Sequence, residues 1–300
     1  MESIVDIANL TRRYRRVAAL DDVSLHIQRG GVVGLVGENG AGKTTLIKHI
    51  LGLLRAQKGS VSVFGMNPCK HPQEVLGRIG YLSEHRDLPG WMRIDELMRY
   101  TRALYPKWDP EYAKKLIRVF ELEPTAKIRT LSMGQTAKAG LVTALAHRPE
   151  FLVLDEPSSG LDPIVRRDIL GAVFREVASE GRTVLFSSHL LHEVETISDR
   201  VIMISAGKVI LDSPLKDVMR SHQRLVVAGS NGQAPTLALP GQLSCEAHQG
   251  RWHIVCQGDL ELLRAQAMQQ GITLIEAGPA SLDDIFVARA GRRISETIEG

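Results

Sequence analysis

The segment GENGAGKTT, from Gly37 to Thr45, combines glycines with a lysine and two threonines. It fits the pattern G-x-x-x-x-G-K-[ST] and lies between a predicted strand and a predicted helix, as a phosphate-binding loop does. Gly37, Gly40 and Gly42 allow the backbone to curl, so that successive N–H groups point at phosphate oxygens. The helix that begins near Lys43 adds its positive end. A glycine-rich turn with a surface lysine is the alternative, but motif and context together favour nucleotide binding.

The side chains at the end of this loop have predicted roles toward a nucleotide. Lys43 supplies a mobile cation for the β- and γ-phosphates, and the hydroxyl of Thr44 can bind Mg²⁺. The predicted nucleotide-binding residues of the loop are Gly37, Glu38, Asn39, Gly40, Ala41, Gly42, Lys43, Thr44 and Thr45.

Two adjacent acids follow an apolar run in FLVLDEP, where Asp155 and Glu156 stand at the carboxyl end of a predicted buried strand. Open α/β sheets bind their ligands at that edge. We expect Asp155 to hold Mg²⁺ and Glu156 to act as general base for the water that attacks the γ-phosphate. Exposed acids at a strand end are common, yet in a chain with a phosphate loop this pair predicts nucleotide hydrolysis.

The segment LSMGQ, from Leu131 to Gln135, is a second turn that suits an anion. Ser132 and Gln135 form the pattern S-x-x-Q of a helix capping box, which is the simplest interpretation of the segment alone. Gly134 carries no side chain that could block a close neighbour. The segment precedes the acidic pair in the sequence, and this order allows a second interpretation.

The order of these motifs resembles the ABC ATPase family over about residues 1 to 220. The segment SSGLD, which ends at Asp162, resembles the D-loop of that family, and His189 in FSSHL resembles its switch histidine. Tyr14 matches the aromatic residue that stacks on adenine. Glu84 in GYLSEH stands where the family usually has a glutamine that touches Mg²⁺. A strand-end aromatic and a structural histidine are ordinary features, but their joint order is specific to the family.

The resemblance implies a site shared between two subunits. In the family, two copies stack head to tail, and the signature helix of one copy approaches the γ-phosphate bound by the other. Ser132, Gly134, Gln135 and Asp162 would then act across a dimer that encloses two ATP molecules. The simplest partner is a second copy of this chain, which predicts a homodimer.

Two residues depart from the family pattern. Met133 replaces the more usual glycine of L-S-G-G-Q, so a close backbone approach depends on Gly134 alone. Glu84 replaces the glutamine, where its carboxylate could bind Mg²⁺ directly, slow hydrolysis or change coupling. The predicted metal ligands are Thr44, Glu84 and Asp155.

Apolar periodicity predicts the elements that position these residues. Val32–Val36, Phe151–Leu154 and Thr183–Ser187 are predicted to be buried parallel strands, each followed by a helix, which indicates an α/β sheet. Residues 88–130 carry amphipathic helices with no strand between them and are predicted to form a helical insert. The predicted fold of residues 1–220 is therefore an α/β P-loop NTPase sheet with a helical insert.

Residues 221–300 are predicted to form a small α+β C-terminal domain. The segments RLVVAG, LSCEAHQGRWHIVC and ITLIEAG are typical of strands, with a turn at Gln249–Gly250, and ELLRAQAMQQ and SLDDIFVARA are typical of helices. The ending SLDDIF resembles the C-terminal extension of ABC ATPases of the exporter branch.

Composition is that of an ordinary globular protein, with 44% apolar residues. The net charge of +3 is too small to indicate a nucleic-acid partner. Three widely separated cysteines indicate free thiols in a reducing cytosol. No apolar run approaches the length that spans a bilayer, and the first residues are acidic where a signal peptide is basic. We therefore expect a cytoplasmic chain.

The resemblance implies the ATP-hydrolysing subunit of a transporter whose membrane spans lie on a separate permease chain. Export is the expected direction. This subunit would be peripheral on the inner face of the cell membrane, with the insert and its LPGWM segment as docking surface. A soluble ABC mechanoenzyme acting on ribosomes or DNA is an alternative, although such proteins commonly carry tandem cassettes or a long coiled coil. A phosphotransferase using the loop alone is another, and it would leave LSMGQ and His189 unexplained.

Overall fold

The computed structural model describes residues 3–163, 165–167, 170–171, 181–228, 239–248, 250–270 and 272–291. The strands are β1 (Ser3–Tyr14), β2 (Val17–Gln28), β3 (Gly31–Val36), β4 (Lys58–Val63), β5 (Ile79–Leu82), β6 (Phe151–Asp155), β7 (Thr183–Ser188), β8 (Arg200–Ser205), β9 (Lys208–Pro214), β10 (His222–Ala228), β11 (Gln242–His248), β12 (Arg251–Gln257) and β13 (Leu274–Pro279). The helices are α1 (Lys43–Ile50), α2 (Pro72–Leu76), α3 (Ile94–Leu104), α4 (Pro110–Val119), α5 (Met133–Leu145), α6 (Leu191–Ile197), α7 (Leu215–Ser221), α8 (Leu260–Gln269) and α9 (Leu282–Ala290).

Six strands form the central sheet in the order β5-β6-β7-β3-β8-β9. The first five are parallel, and β9 pairs antiparallel with β8. Along β3, Val33 and Leu35 pack into an apolar cluster on one face of the sheet, and Val32 and Val36 pack into another cluster on the opposite face. Strands covered on both faces need nearly continuous apolar runs. The three predicted central strands are confirmed as β3, β6 and β7.

A second sheet, with the order β2-β1-β4, is antiparallel and was not predicted. It covers α1 from the side opposite the central sheet. Leu46 and Ile47 of α1 share an apolar cluster with Ile7 of β1 and Leu25 of β2. The phosphate-binding segment therefore begins a helix that is held between two sheets.

The predicted helical insert contains α3, α4 and a short 3-10 turn at Ile128–Thr130. Both helices are amphipathic, and Leu97 of α3 and Leu116 of α4 join the apolar cluster that α5 contributes to. Asp109 caps α4 by accepting a hydrogen bond from the Tyr112 N–H at 2.9 Å. The insert thus packs on the helix that begins within LSMGQ.

The C-terminal strands form a separate antiparallel sheet in the order β11-β12-β10-β13. The strands and helices predicted after residue 220 are present, while Gln249 of the predicted turn lies outside the described residues. The proposed boundary near residue 220 falls at the end of α7.

Helix α9 packs against α6 of the first part of the chain. Leu282 and Ile285 share one apolar cluster with Leu191 and Val194, and the Leu282 N–H donates to Glu195 Oε2 at 3.3 Å. Among the described residues, no helix has both the length and the apolar character needed to cross a membrane.

Candidate active site

The predicted phosphate loop joins β3 to α1 in a conformation that requires glycine. Gly40 and Gly42 have φ angles of +82° and +113°, in a region that favours glycine. A Cβ atom at Gly42 would lie 2.4 Å from the Ala19 carbonyl oxygen, and one at Gly37 would lie 2.3 Å from the Ile204 carbonyl oxygen. The loop therefore lies between β2 and the end of β8, with no room for a side chain at Gly37 or Gly42.

Lys43, in the first turn of α1, is buried and directed back into the loop. Its Nζ atom donates to the Gly37 carbonyl at 2.6 Å and to the Glu38 carbonyl at 3.4 Å. Nζ also forms an ion pair with Glu156 Oε1 at 3.0 Å, and both side chains are only 6% exposed. The predicted phosphate-binding cation is thus neutralised by the predicted general base.

Glu156 follows β6 directly and has a backbone φ of +47°, which is unusual for a residue with a side chain. Its second carboxylate oxygen, Oε2, lies 2.7 Å from His189 Nδ1. Because an ionised carboxylate only accepts, Nδ1 carries the proton and donates it to this bond. The Glu156 carboxylate therefore holds Lys43 on one side and His189 on the other.

Ser187, at the end of β7, holds the acidic pair in place. Its Oγ donates to Asp155 Oδ1 at 2.6 Å and accepts from the Glu156 N–H at 2.9 Å. All three residues are buried. Ser187 was not predicted from the sequence, because its position opposite Asp155 depends on the pairing of β6 with β7.

The predicted metal ligands are oxygen donors near the same sheet edge. Asp155 is 1% exposed at the end of β6, Glu84 follows β5, and Thr44 lies in the first turn of α1. Burial, with the Asp155 and Glu84 carboxylates nearby, raises the pKa of Tyr81 to about 12. Two carboxylates and a hydroxyl are a donor set that suits Mg²⁺, so these residues fit the predicted ion.

Tyr14 ends β1 and is 43% exposed. It pairs with Val17 across the hairpin, and the Arg12 guanidinium carbon lies 4.8 Å from its ring centroid. The same hairpin brings the Ala19 carbonyl against Gly42. An accessible aromatic ring thus stands on the hairpin that borders the loop, and its stacking on adenine stays a prediction.

LSMGQ forms the predicted capping box. The Gln135 N–H donates to Ser132 Oγ at 3.2 Å, and the Ser132 N–H donates to Gln135 Oε1 at 3.0 Å. Ser132 nevertheless remains exposed, and Met133 is 58% exposed beside it. A Cβ atom at Gly134 would lie 2.8 Å from Val165 Cγ1, so this glycine also permits a close contact with the segment after the predicted D-loop.

Within the described part of the chain, no hydrogen bond or ion pair connects LSMGQ with the phosphate loop. Asp162 is exposed, and its Oδ1 accepts from the Val165 N–H at 3.0 Å. The protomer therefore brings Lys43, Glu156 and His189 together, but it does not join Ser132 to them.

Arg86 is a further residue that sequence reasoning missed. It is 7% exposed and donates to the Pro157 carbonyl at 3.0 Å and to the Ser159 carbonyl at 2.7 Å. These bonds fix the segment that carries Glu84 to the start of the predicted D-loop. The sequence shows only an arginine two residues after Glu84. Its burial and its two carbonyl acceptors depend on the fold.

Comparison with known proteins identifies the family of this chain. A model of the ABC transporter family matches residues 20–159. The chain is 31% identical to the uncharacterized ABC transporter ATP-binding protein YhaQ of Bacillus subtilis, over 96% of this chain and 99% of that protein. It is 28% identical to the bacitracin transport ATP-binding protein BcrA of Bacillus licheniformis, over 97% and 98% of the two chains. A solved ATP-binding subunit of an ABC transporter superposes with a TM-score of 0.66 at 29% identity, over 72% of this chain and 92% of that one.

Proposed function

Because this chain belongs to the ABC transporter ATP-binding subunits, and is therefore an ATPase, we propose that two copies of it drive export through a separate membrane-spanning partner. The observation that carries the proposal is the cluster at the carboxyl edge of the central sheet, where buried Lys43 and Glu156 meet the exposed ring of His189. The division into residues 1–220, which bind ATP, and residues 221–300, which form a smaller domain, is part of the same proposal.

In the proposed reaction, the γ-phosphate of ATP takes Lys43 away from Glu156. The freed carboxylate then accepts a proton from the attacking water, while His189 stays bonded to its other oxygen at 2.7 Å. Mg²⁺, held by Thr44, Asp155 and Glu84, would neutralise charge on the phosphates. Glu156 is thus a base only when nucleotide is present, since Lys43 occupies it otherwise.

The second half of each ATP site comes from the other copy in this proposal. Ser132 is exposed at the N-terminus of α5, and Gly134 follows it in the first turn of that helix. The N-terminus of a helix attracts anions. Ser132, Gly134, Gln135 and Asp162 would therefore face the γ-phosphate bound by the partner copy.

Two variants test the shared site. Ser132→Arg obstructs the helix terminus, and Lys43→Ala disables the phosphate loop. In a mixed dimer both lesions can fall on one site and leave the other intact, so mixing should recover ATPase activity that each variant lacks alone. A well-folded Ser132→Arg protein with normal turnover would contradict the shared site, whereas a role in capping alone predicts only a loss of about 0.5–2 kcal/mol of stability on Ser132→Ala.

A groove of about 340 Å³ between the loop after α1, β5 and α3 is the proposed docking surface for the membrane partner. Leu53, Tyr100 and Leu104 line it and are 60%, 55% and 61% exposed. Clustered exposed apolar side chains are typical of an interaction surface, and a groove of this kind fits one amphipathic helix. Tyr81 also lines the groove, and burial together with the nearby charges of Asp155 and Glu84 raises its pKa.

The residues of LPGWM differ in their positions relative to this groove. Leu88 lines the groove, but Met92 is 7% exposed and belongs to the core. Trp91 is 72% exposed and is not among the groove residues. We therefore assign docking to the face of α3 and the loop after α1 rather than to the whole segment.

Co-purification from solubilised membranes tests the partner. Leu104→Glu should lose a polytopic membrane protein that the unmodified chain retains, while ATPase activity in solution persists. Val119→Glu, at a 47% exposed position of α4 outside the groove, is the matched control and should retain the partner. Recovery of ribosomes or DNA in place of a membrane protein would favour the soluble mechanoenzyme.

The proposed direction is export, and the similarity to a bacitracin transport ATP-binding protein makes bacitracin or a related peptide the first cargo to test. Inverted membrane vesicles that contain the complex should accumulate labelled bacitracin or a related peptide when ATP is added outside. Vesicles with Glu156→Gln are the control and should accumulate none. ATP-dependent loss of peptide from the same vesicles would reverse the assigned direction.

A further inference from the structure

Glu193, in α6, is a buried carboxylate outside the cluster described above. It is 5% exposed, and Oε2 accepts hydrogen bonds from Ser158 Oγ at 2.8 Å and from Ser188 Oγ at 3.0 Å. Its other oxygen, Oε1, lies 3.3 Å from Arg166 Nε. A carboxylate withdrawn from water is costly unless charged and polar partners surround it, and here two hydroxyl donors and one ion pair do so.

The partners of Glu193 come from two different loops of the ATP site. Ser158 begins the SSGLD segment, and the Arg166 Nη2 donates to the Leu161 carbonyl of that segment at 3.1 Å. Ser188 directly precedes His189, whose Nδ1 is bonded to Glu156. One carboxylate oxygen thus bridges the predicted D-loop and the residue next to the predicted switch histidine.

We propose that Glu193 is a positioning residue that links the D-loop to His189. The inference rests on the proposed function, because it takes the D-loop as the segment that meets the second copy and Glu156 as the base. The bonds Ser158–Glu193–Ser188 are already present in a single copy, where they hold His189 next to Glu156. A second copy that contacts the D-loop would therefore act on His189 through Glu193.

The two hydroxyl bonds act in series, which gives the proposal a measurable signature. Breaking either bond interrupts the hydroxyl path from the D-loop to His189, and breaking both interrupts that path no further. The Arg166 contacts with Glu193 and Leu161 stay the same in all three variants. Contacts that only stabilise the fold independently would instead give losses that multiply, as separate sites do. The link acts on the chemical step, so it changes kcat while the binding of ATP stays nearly the same.

The test uses the full-length chain with Ser158→Ala, Ser188→Ala and the double variant. Loss of one charge-assisted hydrogen bond should lower kcat about tenfold in each single variant, with KM changed less than about threefold. The double variant should have the same kcat as the slower single variant. Glu193→Ala is the more obvious change, but it leaves the partly buried Arg166 without a carboxylate and threatens folding, so the serine variants carry the test.

Thr196→Ala is the matched control. The substitution removes a hydroxyl of α6, the helix that carries Glu193. This hydroxyl is exposed and donates to the His192 carbonyl at 2.8 Å, so its loss should leave kcat unchanged. Turnover is expressed per folded molecule, from circular dichroism and the stoichiometry of nucleotide binding. Single variants with unchanged kcat, or a double variant whose loss is the product of the two single losses, would overturn the link.

Glu156→Gln distinguishes failure of this inference from failure of the proposed function. If Glu156→Gln hydrolyses ATP at the unmodified rate, Glu156 is not the base. The proposed function then fails, and so does the role of Glu193 in positioning His189 against that base. If Glu156→Gln is slow while both serine variants are fast, the ATPase assignment stands and only the role of Glu193 is rejected.

Discussion

Replacing Glu156 with Gln should tighten ATP binding as well as slow hydrolysis. Lys43 Nζ lies 3.0 Å from Glu156 Oε1 in a site where both side chains are 6% exposed. Glutamine keeps an oxygen near Nζ but removes the charge, so Lys43 loses its counter-ion and retains the Gly37 and Glu38 carbonyls. Bound ATP supplies phosphate charge to Lys43 in both proteins. The substitution therefore destabilises the ATP-free state more than the bound state.

The magnitude follows from the burial of the pair. A buried charge that loses its ionic partner but keeps neutral acceptors costs about 2 kcal/mol, which is below the range for buried pairs broken without any replacement acceptor. The same energy appears as affinity, because about 1.4 kcal/mol corresponds to a factor of ten. We expect ATP to bind about thirtyfold more tightly to Glu156→Gln, and the nucleotide-free variant to unfold at a lower temperature.

Equilibrium titration with ATP measures this effect, provided that closure of the dimer does not contribute. Both proteins are therefore compared in a Ser132→Arg background, which blocks the proposed shared site. The control repeats the comparison in Lys43→Ala. Without the lysine the ion pair is absent, so Glu156→Gln should no longer change the affinity for ATP through it. Equal affinities with and without Glu156→Gln, when Lys43 is present, would refute the reasoning, as would a gain that persists after Lys43→Ala.

Three further predictions concern other parts of the structure. Ser187→Ala should raise the Mg²⁺ concentration needed for half-maximal ATPase activity about 10-fold to 100-fold, because Asp155 loses the hydroxyl that orients it, and an unchanged requirement would exclude this role. Glu150 accepts from Arg78 and Arg29, which together lower its pKa to about 2, so Glu150→Gln should lose about 1–2 kcal/mol of unfolding free energy at pH 7 after solvent screening. The difference between the two proteins should shrink as the pH falls from about 4.5 to about 2, because protonation removes the same interaction, and a constant difference would contradict the assignment. Truncation after residue 220 should leave ATP affinity within a few-fold, since every predicted nucleotide residue precedes it, and a folded truncated chain that cannot bind ATP would show that the later residues contribute.

The sequence predicted best what depends on neighbours along the chain. The phosphate loop, the capping box of Ser132 and Gln135, and the buried strand before Asp155 are all encoded within a few residues, and each was found as predicted. Sheet order brings Glu156 and His189 together, because both follow neighbouring parallel strands, and this contact was not predicted. The roles assigned to these residues remain predictions.

Contacts between distant segments could not be predicted in the same way. The ion pair of Lys43 with Glu156 and the placement of Glu193 depend on the relative positions of elements far apart in sequence. The β2-β1-β4 sheet was missed for a local reason. Strand β1 contains register shifts between Ile7 and Leu10 and again before Arg12, and Asn9 has a φ of +50°, so its side chains do not alternate regularly.

The packing of α9 against α6 determines when the chain can finish folding during its synthesis. Leu191 and Val194 of α6 belong to an apolar cluster that is completed by Leu282 and Ile285. Domains generally fold from the N-terminus as they leave the ribosome. Here the helix that follows His189 keeps an uncovered apolar face until α9 has emerged. An unfinished chain would therefore expose this apolar face of α6 until α9 covers it.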